Sequence, residues 1–163
     1  MKQELLTSFI TIMTSKNCMK IQKVYAYITY EDQLLLFRHT RYPEAGIQVP
    51  GGTVEVGESP EKAVLREARE ETGLQELSIR SYLGATEFDL SVVGSIGIHQ
   101  RYFFHLIFSG IFQERWRNFE KTPSDGQPEP IEFEFYWVKF PEDVPELIAE
   151  QGKFLSKLEL KDQ

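Results

Sequence analysis

The chain has 163 residues, of which 41% are hydrophobic, and a formal net charge of −7 at pH 7, which suits one domain with a hydrophobic core. No basic stripe is visible, which argues against a polymeric nucleic acid as partner. No apolar run reaches the roughly 18–20 residues of a membrane span, so we expect a cytoplasmic protein that does not bind membranes.

The first 18 residues fit neither a strand nor a helix pattern, and we expect them to form an N-terminal arm before a single domain at 19–163. The arm contains Cys18, which is the single cysteine of the chain. An intramolecular disulfide framework is therefore excluded.

The next segment predicts two strands that lead into a glycine-containing loop. Residues 21–30 and 34–38 are rich in β-branched and apolar side chains, with a turn between them. A loop follows at 39–46. Arg38 and Arg41 are either substrate-phosphate contacts or ordinary surface arginines.

Residues 60–72 are predicted to form a helix with a defined start and end. Ser59 is a favourable N-cap, and Pro60 suits the first helical position because its missing N–H is not needed there. Gly73 suits the left-handed residue that commonly ends a helix.

Three acids lie on one face of this helix. Glu67, Glu70 and Glu71 share an arc of about 100°, at or beside small apolar residues, so their carboxylates should point towards the protein body. Carboxylates this close repel by roughly 3 kcal/mol per pair at an effective dielectric near 20. A cation relieves that repulsion, and hard oxygen ligands suit Mg²⁺ or Mn²⁺.

The second half of the chain reads mainly as strands. Strands are predicted at 77–88, 99–108 and 131–140, with a hairpin loop at 89–97, a long loop at 109–130, and one or two closing helices within 141–149 and 153–160. This pattern is typical of an α+β fold with a mixed, mostly antiparallel sheet, the first helix on one face and a C-terminal helix on the other.

Two polar or aromatic features of this half remain ambiguous. The start of the strand at 99–108, from His99 to Arg101, is either a substrate-contacting edge or a hydrogen-bonded structural feature. Trp116 either stacks on a substrate ring or packs under its own loop.

The loop and helix together resemble a known signature. The fixed positions are Gly52, Glu58, Arg66-Glu67-Ala68, Glu70-Glu71 and Gly73-Leu74. These nine positions and their spacing resemble the signature box of the MutT-like Nudix hydrolases. The resemblance implies an α/β/α sandwich and an enzyme that cleaves, with divalent metal ions, a nucleoside diphosphate linked to another group.

The resemblance also implies roles for individual residues. The metal ligands would be Glu67, Glu70, Glu71 and the carbonyl oxygen of Gly51, with Mg²⁺ or Mn²⁺ as the metal. Arg66 would hold the carboxylates in place, and Glu58 would pair with Arg66. Water would attack phosphorus while the metals neutralise developing charge.

The catalytic base is left open between Glu67 and an acid from outside the box. The outside candidates are Asp125, Glu129, Glu132 and Glu134.

Several functions are compatible with this family. Candidate substrates are nucleoside triphosphates, nucleotide sugars, ADP-ribose and dinucleoside polyphosphates, so the expected partner is a small nucleotide derivative, with a homodimer among the possible assemblies. One alternative is a non-catalytic nucleotide sensor. Another is a diphosphate isomerase, which is disfavoured because such enzymes use a cysteine within the fold core and Cys18 precedes it.

Overall fold

The computed structural model describes residues 20–120 and 129–160, which form one mixed sheet with a helix packed on it. The strands are β1 (Lys20–Tyr30), β2 (Gln33–His39), β3 (Gly51–Thr53), β4 (Leu77–Asp89), β5 (Ile98–Phe108), β6 (Arg115–Glu120) and β7 (Ile131–Lys139), and the helix is α1 (Pro60–Thr72). The sheet order is β4-β5-β1-β2-β7-β6, with β3 paired to β1. The β1–β5 pair is parallel and the other pairs are antiparallel, as predicted for a mixed, mostly antiparallel sheet.

The glycine loop enters the sheet between two strands that diverge. Strands β1 and β2 pair next to their turn, where Thr29 faces Leu34, and then separate. The gap is filled by residues 47–53, because Gln48 bridges to Phe37 of β2 while β3 pairs with β1. The loop is thereby held from both sides.

The sheet has a hydrophobic cluster on each face. On one face, side chains of β1 pack against Ala63, Val64 and Ala68 of α1. On the other face, Tyr27 and Phe103 lie under the C-terminal segment. We call these the helix face and the C-terminal face.

Helix α1 has the predicted bounds and caps. The hydroxyl of Ser59 accepts a hydrogen bond from the backbone N–H of Lys62 at 3.4 Å. Gly73 has φ 81°, a left-handed conformation that glycine adopts without a steric penalty.

Two element predictions were wrong. The C-terminal segment is not helical as predicted for 141–149 and 153–160, but has short 3-10 turns at Ile148–Glu150 and Leu155–Lys157. Ala149 and Glu150 have positive φ values, which break the helical path. Strand β6 lies inside the predicted loop 109–130, and was missed because this exposed edge strand contains few apolar residues.

The predicted N-terminal arm and Cys18 lie outside the described residues. Among the helices that the structure describes, none has both the length and the apolar character needed to cross a membrane.

The buried histidine of β5 predicts a pH dependence of stability. His105 is 2% exposed and within 2.8 Å of the hydroxyl oxygen of Thr29, and burial lowers its pKa to about 4. In the unfolded chain, His105 binds a proton near pH 6.5, whereas in the folded protein it does so only near pH 4. The free energy of unfolding therefore falls as the pH decreases from 6.5 towards 4, by at most about 1.4 kcal/mol per pH unit. Urea unfolding at pH 7.5 and pH 5 should show a larger loss for the wild type than for His105→Gln. Equal losses would contradict this assignment.

Candidate active site

Arg66 connects the helix to the glycine loop. Its Nε and Nη2 donate to the two carboxylate oxygens of Glu58 at 2.9 and 2.8 Å, and Nη2 also donates to the carbonyl oxygen of Thr53 at 3.0 Å. The guanidinium, with the backbone N–H of Glu55, lowers the pKa of Glu58 to about 2. Glu58 is therefore an anion paired with Arg66, which is the pairing that the family resemblance implied.

Glu67 is held against the loop backbone. Its carboxylate accepts hydrogen bonds from the N–H of Thr53 at 3.1 Å and from Arg66 Nη1 at 3.0 Å. Gly52 makes this approach possible, because a Cβ at that position would lie 2.0 Å from the carboxylate carbon of Glu67. Burial raises the pKa of Glu67 against these favourable contacts.

Glu71 and Glu70 complete the acidic face of α1. The half-buried Glu71 accepts a hydrogen bond from the N–H of Gly51 at 2.9 Å, and burial raises its pKa to about 8. Glu70 is exposed, with an oxygen 3.4 Å from Arg66 Nη1. The structure thus brings Glu58, Arg66 and all three helix acids around one loop.

The side chains at this site have the oxygen donors that a divalent cation requires. Within residues 20–120 and 129–160, no group of three His, Cys, Asp or Glu side chains is close enough to be identified as a metal site. Glu67 and Glu71 are nevertheless hard oxygen donors whose charged forms are disfavoured by burial. A nearby cation would favour those charged forms.

The acids proposed from outside the box are mostly engaged elsewhere. Glu129 pairs with Arg41, Glu132 with Arg117, and Glu134 with both Arg38 and Arg115. Asp125 lies outside the described residues. Arg38 and Arg41 are accordingly held in ion pairs on the sheet surface.

Two charged residues near the helix acids were missed by the sequence analysis. Burial raises the pKa of Glu71, and the charge of Glu120, at the end of β6, adds to that rise. Burial lowers the pKa of Lys23, and the charges of Glu67 and Glu120 oppose that change. Lys23 Nζ donates to the hydroxyl of Thr53 at 2.7 Å. No local motif marks either residue, because the strand pairing brings them to the site.

Strand β6 supports the end of α1. The indole N–H of Trp116 donates to the carbonyl of Thr72 at 2.8 Å, and its ring stacks on Phe135. The side-chain amide of Asn118 donates to the carbonyl of Glu71 at 2.8 Å. Trp116 therefore packs against β7 and the end of α1 rather than under its own loop, because it lies on a strand.

The C-terminal segment clamps the chain just before the loop. Gln151 is 5% exposed, and its side-chain oxygen accepts the N–H of Val49 at 2.9 Å. Its carbonyl accepts the hydroxyl of Tyr27 at 2.6 Å. One buried residue thus ties the C-terminal segment to β1 and to the approach to Gly51.

Comparisons with known proteins agree with this architecture. The family model of the NUDIX domain matches residues 19–158. The NAD-capped RNA hydrolase NudC of Photobacterium profundum is 46% identical over 52 residues, which are 32% of this chain and only 20% of that protein.

Solved structures share the fold. The crystal structure of a UDP-X diphosphatase has a TM-score of 0.58 at 22% identity, over 94% of this chain and 70% of that one. A MutT NUDIX hydrolase from Burkholderia pseudomallei has a TM-score of 0.57 at 24% identity, over 86% and 99% of the two chains. The predicted α+β, Nudix-like sandwich is confirmed.

Gln151 should stabilise the approach to the loop. Gln151→Leu leaves the buried Val49 N–H without its acceptor, which should cost about 1–3 kcal/mol of unfolding free energy. Urea denaturation measures the loss, and amide exchange should become faster at Val49. Gln75→Leu, at an exposed position, is the matched control and should stay within about 0.5 kcal/mol of wild type. An unchanged Val49 exchange rate would contradict the clamp.

Proposed function

The chain belongs to the NUDIX domain family, and from that premise we propose that it hydrolyses the diphosphate linkage of a nucleoside diphosphate derivative. One observation carries the proposal. Arg66 holds Glu67 and the loop backbone together, and the amides of Gly51 and Thr53 fix the carboxylates of Glu71 and Glu67 by hydrogen bonds. Acidic oxygen donors held together in this way suit Mg²⁺ or Mn²⁺, which in turn bind phosphate oxygens.

The metal ligands we propose are Glu67, Glu70, Glu71 and the carbonyl oxygen of Gly51. A bound Mg²⁺ or Mn²⁺ would neutralise charge on the phosphate oxygens and lower the pKa of the attacking water. Arg66 and Glu58 are positioning residues, because they fix the Glu67 carboxylate and the loop rather than contact the substrate.

The base that takes a proton from the attacking water is Glu67 or an acid from outside the box. The sequence offers Asp125, Glu129, Glu132 and Glu134 outside the box. We add Glu120 to these candidates, since its charge acts on Glu71. Glu67 accepts hydrogen bonds from Thr53 and Arg66, and Glu120 is the last residue of β6.

The substrates that we propose are small nucleotide derivatives. The similar proteins add NAD-capped RNA to the compounds that should be tested. A UDP-X diphosphatase shares the fold, and NudC is a hydrolase of NAD-capped RNA. The expectation that no polymer binds therefore needs a direct test with a capped RNA.

We also propose that residues 19–163 form the catalytic domain and that it works in the cytoplasm.

The first test is phosphate-product release from a panel of nucleoside triphosphates, nucleotide sugars, ADP-ribose, dinucleoside polyphosphates and a NAD-capped RNA, with Mg²⁺, with Mn²⁺ and with EDTA. At least one class should turn over with metal and stop with EDTA, because the acids alone cannot neutralise phosphate charge. No turnover, combined with a metal-dependent rise in melting temperature on adding a nucleotide, would favour the sensor instead.

Glu70 should be needed for the reaction but not for the fold. Glu70→Gln should lower kcat/KM at least about 100-fold, or about 3 kcal/mol of transition-state stabilisation, because a charged ligand becomes neutral. Glu61→Gln, exposed in the first turn of the same helix, is the matched control and should retain activity. Near-normal turnover by Glu70→Gln would remove Glu70 from the ligand set.

Glu67 and Glu120 can be distinguished as candidates for the base by how their substitution changes the Mg²⁺ dependence of the rate. If Glu120 is the base, Glu120→Gln should lower kcat at least about 100-fold without changing the Mg²⁺ concentration at half-maximal rate. Glu67→Gln should raise that concentration, since Glu67 is a proposed ligand. A kcat near wild type in Glu120→Gln would remove Glu120 from the candidates for the base.

A further inference from the structure

Strand β5 buries a guanidinium that forms no ion pair among the described residues. Arg101 is 3% exposed, and its Nε is buried without a hydrogen-bond partner. Its Nη1 donates to the carbonyl of Ala149, and its guanidinium lies 3.7 Å from the centroid of the Phe88 ring. Since buried donors are nearly always paired, the free Nε marks a place where an acceptor is expected.

Two more polar side chains flank Arg101 on the C-terminal face. His99 is two residues earlier on β5, and its Nδ1 is also buried without a partner. Lys23 is the cross-strand neighbour of Arg101 in the parallel pair. The charges of Lys23 and Arg101 both act on His99, so the three groups lie within electrostatic reach of one another.

Lys23 connects these three side chains to the acidic site. Lys23 pairs with Thr53 on its other side and donates to the Thr53 hydroxyl. Thr53, Lys23 and Arg101 therefore form a row across three adjacent strands. Neighbouring strands lie about 4.8 Å apart, so the Arg101 backbone is about 10 Å from that of Thr53.

We propose that Arg101, together with Lys23 and His99, binds a further phosphate of the substrate, beyond the diphosphate that is cleaved. This rests on the proposed function, which puts the cleaved diphosphate at Gly51–Thr53. The fork of an arginine matches phosphate oxygens, and an anion compensates a buried charge better than a neutral acceptor. Arg101 is then a specificity-determining residue that favours nucleoside triphosphates or dinucleoside polyphosphates over nucleotide sugars.

The segment that covers Arg101 has an uncommon backbone conformation. Ala149 and Glu150 have φ values of 51° and 57°, a conformation uncommon outside glycine. The Ala149 carbonyl is the acceptor that a phosphate would replace. We expect this segment to move away when the phosphate binds.

The experiment compares wild type, Arg101→Met and Arg115→Met. Arg115 is the matched control, because it also lies over an aromatic ring, Tyr136, but in an exposed ion pair with Glu134. The kinetic substrates are pairs with one nucleoside, ATP with ADP-ribose and UTP with UDP-glucose. Binding of inorganic tripolyphosphate and of pyrophosphate at fixed free Mg²⁺ is measured by calorimetry, which requires no turnover.

The wild type should bind tripolyphosphate at least tenfold more tightly than pyrophosphate. Arg101→Met should abolish that difference and raise KM for the triphosphate at least tenfold, with kcat and the diphosphate-sugar KM within about twofold. Arg115→Met should behave as wild type.

Equal wild-type affinities for tripolyphosphate and pyrophosphate would overturn the proposal. It would also be overturned if the effect of Arg101→Met depended on the nucleobase of the substrate rather than on its number of phosphates. If Arg101→Met does not fold, Arg101→Lys replaces it in the same measurements and should reduce the preference for tripolyphosphate, because lysine keeps the charge but lacks the fork. Tight tripolyphosphate binding without turnover of any compound would contradict the proposed function while supporting this phosphate site.

Discussion

The site depends on the ion pair between Arg66 and Glu58. Through it, one guanidinium on α1 reaches Glu67, the Thr53 carbonyl and the loop acid at the same time. A multidentate arginine fixes geometry as well as charge, which a lysine in its place would not. Without Arg66, the acids of α1 would remain on the helix but would no longer be fixed in position relative to the glycine loop.

The sheet contributes the second constraint, because the loop lies between strands that diverge. Strand β3 is only three residues long, and its approach is held by Gln48 on β2 and by Gln151 from the C-terminal segment. A buried glutamine can satisfy several backbone and side-chain groups at once, where an apolar residue would leave them unpaired. The irregular C-terminal segment thus covers the C-terminal face, where a helix was predicted. It also holds the chain before the loop through Gln151.

Charge is divided between the two sides of the loop. The acids of α1 approach from the helix face, whereas Lys23 and Arg101 lie on the C-terminal face. This division explains how a chain with a net charge of −7 presents cations close to its acidic site. The phosphorylated ligand that we propose would lie between the proposed metal-binding acids and these two cations.

The sequence by itself determined the helix from Pro60 to Thr72, its caps and the acidic face, because these depend on spacing within about 20 residues. It also predicted most strands. It did not locate β6 or the 3-10 turns, since edge pairing and positive φ values in the C-terminal segment outweigh local pattern. Only the tertiary structure brought Glu120, Lys23 and Gln151 to the loop, because each is far from it in sequence and reaches it through strand pairing or chain packing.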